Sequence, residues 1–235
     1  MFEVKRFCLT GAASLALAGC LSAAVLTVDA KSEIFSAGAA TPYDSMALLP
    51  PTIAASAGQL LTFSSVTGTA SCGTACGTAG PDGADLGFVN GTNLSITNSG
   101  ISGITFIGRQ MFLVGVFLGA GVPSGANPAG NTYTNASVLG SSFSPGLAQV
   151  FFIGDGQGTG GTQTFIAPAG TTRLFLGFAD GVPGFNGQSG AYGDNSGALT
   201  ATFALAASPV PEPGTLGLFG LGFAALALAA RKRAV

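Results

Sequence analysis

The sequence predicts an all-β protein: an antiparallel β-sandwich flanked by an N-terminal signal helix and a C-terminal transmembrane helix. Apolar and polar residues alternate with a period of two in runs such as 199–205, which is typical of a half-buried strand. Clusters of glycine, asparagine, proline and serine separate these runs, and glycine accounts for 38 of the 235 residues. The body contains no helical period longer than two turns. Many short strands with glycine-rich turns favour a sandwich.

The sequence predicts seven strands in the body of the chain. Residues 111–118 are apolar at consecutive positions, as in a strand buried on both faces. The region from 31 to 208 is long enough for one domain with its own core. The predicted strands are 59–66, 104–107, 111–118, 149–153, 162–167, 173–178 and 199–205.

The N-terminus has the pattern of an export signal, which we assign to residues 1–30. Lys5-Arg6 precedes an uncharged apolar run over residues 7–18. Cleavage at small residues is expected near Ala24 or Ala30. Alternatively, Leu17-Ala18-Gly19-Cys20 is a lipoprotein-like sequence in which Cys20 would carry a lipid.

The C-terminus, residues 209–235, has three parts. Val210-Pro211-Glu212-Pro213 is expected to be extended, because proline fixes φ and restricts the residue before it. An apolar stretch at 214–230 follows and has the length of a short membrane span. Arg231-Lys232-Arg233 then forms a basic stop that favours the cytoplasmic side. The body of the chain is therefore expected on the export side of the membrane.

This three-part end resembles the PEP-CTERM sorting signal of bacterial exported proteins. The resemblance covers about residues 209–233 and implies recognition by an exosortase-type enzyme, with processing near Pro211–Pro213. It also implies anchoring by the C-terminal helix before processing, and then a place at the cell surface or in an exopolysaccharide matrix.

Composition excludes several functions. The chain has no histidine, so catalytic sets built on histidine and histidine-ligated zinc are impossible. A sequence pI of about 4.8 and only eight basic residues argue against nucleic-acid binding. Carboxylates could in principle form a glycosidase pair, but no motif supports a particular pair, and the chain is predicted not to be an enzyme.

Cys72 and Cys76 lie four positions apart in a glycine-rich segment. The predicted export to an oxidising compartment favours a local disulfide between them. Free thiols or a redox role are the alternatives.

The region from Asp180 to Asn195 combines carboxylate, amide and glycine residues between two predicted strands. A hard cation such as Ca²⁺ binds carboxylate, amide and carbonyl oxygens. Asp180 and Asp194 would supply two negative charges and Asn195 an amide oxygen. The alternative is a solvated loop in which these side chains stabilise turns.

The stretch 173–180, together with Ala191-Tyr192-Gly193-Asp194-Asn195-Ser196-Gly197, resembles the C-terminal part of galactophilic calcium lectins of the PA-I type. That resemblance implies a galactose-binding-like jelly roll in which sugar hydroxyls complete the calcium shell. Asp180 would take the role of the family's aspartate, and Asp194 and Asn195 the role of its paired asparagines. Ala191 and Cys72 would donate backbone carbonyls.

The chain departs from that lectin pattern in three ways. Asp194 stands where the family has asparagine, the segment between Asp180 and Ala191 is longer, and no histidine is present for the family's sugar contact. These departures leave calcium binding possible but weaken the case for galactose. The first hypothesis is a membrane-tethered, calcium-dependent glycan-binding module. The alternative is a structural surface or matrix protein that binds no sugar.

Overall fold

The computed structural model describes residues 23–74, 77–86, 92–180 and 191–208. Within these ranges the chain forms sixteen strands and two short 3₁₀ turns, at Ile34–Ser36 and Ser137–Leu139. In chain order the strands are β1 (Ala24–Asp29), β2 (Thr52–Ala54), β3 (Leu60–Ser71), β4 (Thr78–Ala79), β5 (Asp82–Ala84), β6 (Thr92–Leu94), β7 (Ile104–Phe106), β8 (Gln110–Leu118), β9 (Asn131–Tyr133), β10 (Ser142–Phe143), β11 (Val150–Phe152), β12 (Gln157–Gly158), β13 (Gly161–Thr162), β14 (Thr164–Ile166), β15 (Arg173–Ala179) and β16 (Ser196–Ala206).

Two main sheets organise the described part of the chain. The larger has the order β1-β16-β3-β14-β10, with β4 paired to the end of β3. The second has the order β11-β8-β15-β2, with β5 paired to β8. Their pairings are antiparallel except for the short β10–β14 pair. Two small sheets, β6-β7-β9 and β12-β13, complete the architecture.

The main core fills the space between the two large sheets. One sheet contributes Phe63, Phe165 and Phe203, and the other contributes Phe117, Phe151 and Phe178. These residues are buried, and several of the rings contact one another, such as Phe63 with Phe165 at a centroid distance of 6.2 Å. Burial of large aromatic side chains contributes much of the stability of such a core. The expected all-β sandwich is thus confirmed.

A second core lies on the opposite face of the β8–β15 sheet. Phe112, Val114 and Val116 of β8 pack there with Phe106 of β7 and with Phe35. Since Met111 and Leu113 face the main core instead, β8 is buried on both sides, as its continuous apolar sequence predicts.

Gly115 is the one residue of β8 without a side chain to pack. A Cβ atom at this position would lie 2.7 Å from the ring of Phe151 and 2.9 Å from Cδ1 of Ile153. Glycine therefore makes room for the neighbouring strand.

All seven strands expected from the sequence are present. β3 and β16 are longer than expected and pair over most of their length, from Ser196 opposite Ser71 to Ala206 opposite Leu60. β1 lies inside the range assigned to the signal peptide: it pairs with β16 over six residues.

The predicted signal helix before residue 23 and the sorting segment from residue 209 lie outside the described residues. None of the helices in the described ranges is long and apolar enough to cross a membrane.

Candidate functional site

Three strand ends meet at one end of the sandwich. β15 ends at Ala179 and is followed by Asp180, while Asn195 immediately precedes β16. The pairing of Ser196 with Ser71 aligns the beginning of β16 with the end of β3, which is followed by Cys72. Residues that are distant in sequence are brought together because the two sheets face each other here.

Asp180 and Asn195 form the buried centre of this end. Asp180 is 4% exposed and Asn195 is 3% exposed. The Asn195 side chain donates from Nδ2 to the carbonyl of Ala30 at 3.0 Å, and this bond does not use its Oδ1. Neither Oδ1 of Asn195 nor Oδ2 of Asp180 has a hydrogen-bond partner among the described residues.

Two unpaired oxygens are costly in a protein interior, where polar groups almost always have partners. An amide oxygen can only accept, and an ionised carboxylate can only accept. The two oxygens therefore cannot satisfy each other, and they need a donor or a cation. A proton on Asp180 or a bound metal ion would each meet that need.

The charge distribution at this end is negative. Burial raises the pKa of Asp180 from 3.8 to about 7. A hydrogen bond with the Asn195 side chain acts to lower this pKa, and the charge of the Asp194 carboxylate acts to raise it. The Asp194 carboxylate thus acts electrostatically on Asp180.

Asp194 lies on the solvent side of this arrangement. Its side chain is exposed, and its carboxylate contacts Gly73, directly after Cys72. A side chain on Gly73 would collide with that carboxylate, and the φ of +97° at Gly73 is itself unfavourable for other residues. The segment after β3 and the segment before β16 are therefore in direct contact.

Tyr192 supports the site from below. It is fully buried and donates its hydroxyl proton to the carbonyl of Phe178 at 2.8 Å. Burial, Asp180, Glu33 and Asp44 all raise the pKa of Tyr192 well above its usual value, so the side chain is neutral. Three carboxylates thus act electrostatically on one phenol.

A buried glutamate and a loop aspartate hold Tyr192 in place. Asp44 accepts a hydrogen bond from the backbone N–H of Tyr192 at 3.1 Å. Glu33, fully buried, accepts hydrogen bonds from the backbone N–H groups of Tyr43 at 2.8 Å and Asp44 at 3.2 Å. This chain of contacts links the loop at residues 43–44 to the segment that carries Asp194 and Asn195.

The set of five predicted metal ligands stays a prediction. Asp180 and Asn195 are buried at the same end of the sandwich, and Asp194 acts on Asp180 electrostatically. The backbone carbonyls of Ala191 and Cys72 are implied by the lectin resemblance alone. No group of three or more histidine, cysteine, aspartate or glutamate side chains in the described ranges could hold a metal. A cation here would therefore depend on amide and carbonyl oxygens besides the two carboxylates.

Cys72 is disulfide-bonded. Cys76 lies outside the described residues, so the predicted Cys72–Cys76 pairing stays a prediction.

Sequence reasoning missed Glu33, Asp44 and Ala30. They contribute from the first turns of the domain, and no motif marks them. Tyr192 lies within the motif at residues 191–197, but its position in the sequence does not predict that its hydroxyl is buried and hydrogen-bonded.

The C-terminal segment matches a family model: residues 209–233 match the PEP-CTERM protein-sorting motif. Val210-Pro211-Glu212-Pro213 and Arg231-Lys232-Arg233 lie within that match. No curated protein and no solved structure matches the chain, so the resemblance to calcium lectins rests on motif residues alone. The chain carries a PEP-CTERM sorting motif, which marks an exported protein that an exosortase processes.

Proposed function

We propose that the exported β-sandwich binds Ca²⁺ between Asp180, Asp194 and Asn195, and that it uses the ion to hold glycan hydroxyls at the cell surface or in an exopolysaccharide matrix. The observation that carries the calcium site is the pair of buried, unpartnered oxygens on Asp180 and Asn195. Oxygen donors of this kind are the ligands that Ca²⁺ prefers.

The exposure of Asp194 supports access from solvent. Asp180 and Asn195 would hold the inner side of the ion, and the outer side would remain open to water or to sugar hydroxyls. The charge favours a cation, because the charged group that acts on Asp180 is another carboxylate.

The alternative is a structural surface protein in which the ion only stabilises the chain. The burial of Asp180 and Asn195 favours this candidate, because most of the ion would be covered. In both candidates the C-terminal apolar segment at 214–230 anchors the chain in the membrane until the exosortase acts.

One pair of measurements tests the proposal. The melting temperature of the purified exported protein is recorded in EDTA and in millimolar Ca²⁺, and the calcium-loaded protein is then applied to a glycan array. For a dissociation constant on the order of 10⁻⁴ M, 10 mM Ca²⁺ would add about 2.7 kcal/mol to the free energy of unfolding. An unchanged melting temperature would sink the calcium site. A calcium response with a blank array would favour the structural candidate.

A further inference from the structure

We infer that the leader is removed by a cut no later than the bond following Ala24, so that the mature protein keeps β1 from Val25 onward at least, and that β1 supports the cation site. The inference rests on the export and the cation site proposed above. Of the two candidate cleavage regions in the leader, near Ala24 and near Ala30, the inference excludes the second.

β1 is built into the large sheet as an edge strand. All six of its residues pair with β16, from Ala24 opposite Phe203 to Asp29 opposite Ala198. Val28 is fully buried in the main core, between the two sheets. Removal of this strand would uncover the main core along one side and leave without partners the backbone groups of β16 that face β1, while the pairing of β16 with β3 would remain.

Ala30 links β1 to the candidate site through both of its backbone groups. Its N–H donates to the carbonyl of Gly197 at 3.0 Å, and its carbonyl accepts the Nδ2 donor of Asn195 at 3.0 Å. The second bond turns the Asn195 side chain so that the amide oxygen is left for the site. A chain that began at Lys31 would lose that acceptor, and the amide could rotate.

The residues after β1 then cross from the large sheet to the second one. The N–H of Ser32 donates to the carbonyl of Asp29 at 2.9 Å, and the carbonyl of Ser32 accepts from the N–H of Phe178 at 3.0 Å. Phe178 lies two residues before Asp180. β1 and the three residues that follow it therefore contact both of the strand ends that carry the unpartnered oxygens.

Cleavage at or before the bond following Ala24 keeps all of these contacts except, at its latest position, the pairing of Ala24 with Phe203. Ser22 and Ala24 are small residues at the spacing that signal cleavage requires, and a cut after Ala24 removes only one exposed residue from β1. A cut before Cys20 leaves β1 whole. The step is hydrolysis of one peptide bond: water adds across it and leaves a carboxylate on the leader and an amino group on the mature chain.

The first test uses the full chain with its own leader, produced in a bacterial host and recovered from the exported fraction. Intact mass and N-terminal sequencing of the product give the cut. We expect an N-terminus between residues 20 and 25. An exported chain that begins between residues 26 and 31 would overturn this inference and leave export intact. A full-length, unexported chain would overturn both.

The second test asks whether β1 serves the site. Val28→Asp places a charge in the core, whereas Val25→Asp changes a residue of the same strand that is 67% exposed. We expect the first variant to lose the calcium-dependent rise in melting temperature and the second to keep it. Equal calcium responses of the two variants would overturn the role of β1.

Discussion

The exchange of Asp180 for asparagine tests the buried oxygens most sharply, because its two effects have opposite signs. Asp180→Asn removes a carboxylate that burial makes costly, yet keeps the shape of the side chain. It also supplies an amide donor on a side chain that interacts with Asn195, whose Oδ1 has no partner among the described residues. In the absence of calcium, the variant should therefore be more stable than the wild-type protein.

The size of this effect follows from the pKa of Asp180, which burial raises from 3.8 to about 7. One pKa unit corresponds to ~1.4 kcal/mol, so the ionised carboxylate costs up to about 4 kcal/mol at pH 8. Allowing for imperfect packing of the new amide, we expect a gain of about 3 kcal/mol in the free energy of unfolding. For a domain of this size that is a rise of ~6–12 °C in melting temperature.

The assay is thermal unfolding of the wild-type protein and the variant at pH 8, in EDTA and in 10 mM Ca²⁺. The variant should melt higher than the wild-type protein in EDTA and should show no further rise with calcium. A variant that melts lower in EDTA would refute the reasoning, since it would mean that the Asp180 carboxylate already has strong partners.

Three further predictions concern pH and two glycines. Because the pKa of Asp180 in the folded protein lies above 3.8, protonation of Asp180 stabilises the folded state at low pH, and this stabilisation is lost as pH rises from about 4 to about 7. Melting temperatures in EDTA should therefore fall over this pH range, and should fall less in Asp180→Asn. The same slope in both proteins would contradict the assignment to Asp180. Gly73→Ala should lower the free energy of unfolding by about 1–3 kcal/mol and should weaken calcium binding, because the added Cβ would collide with Asp194. The control is Gly58→Ala: Gly58 also has a positive φ, of +78°, but a Cβ added there would meet no atom within 4 Å, so the calcium titration should be unchanged. Gly115→Ala should cost about 1–3 kcal/mol in urea unfolding because its Cβ would lie 2.7 Å from an aromatic ring, and a variant as stable as the wild-type protein would show that the core can relax around the methyl group.

The strands that could be predicted are those whose pattern reflects their burial. β8 is apolar at consecutive positions because it packs against two cores, and β16 alternates because only one of its faces is covered. Strands of two or three residues, such as β12 and β13, are too short for any period to be read from them.

β1 escaped prediction for a different reason. Its apolar residues continue an N-terminal region that has the composition of an export signal, so one pattern hides the other. Pairing with β16 decides the conformation of this segment, and no local signal reports a partner that lies so far along the chain.

The candidate site was predictable in its side chains and not in its support. Asp180, Asp194 and Asn195 stand out as polar residues at strand ends. Ala30 acts through its backbone carbonyl and Glu33 through a buried carboxylate. Both residues are far from Asp180 in the sequence, and neither role follows from residue type.

The most direct test of the cation site is terbium luminescence. Tb³⁺ replaces Ca²⁺ at oxygen sites and emits when a nearby tyrosine absorbs light; the chain has three tyrosines and no tryptophan. Tyr192 lies next to Asp180, so tyrosine-sensitised emission should appear on titration, should be displaced by Ca²⁺, and should vanish in Tyr192→Phe but persist in Tyr43→Phe. Absence of emission, or emission that Tyr192→Phe leaves unchanged, would contradict the site.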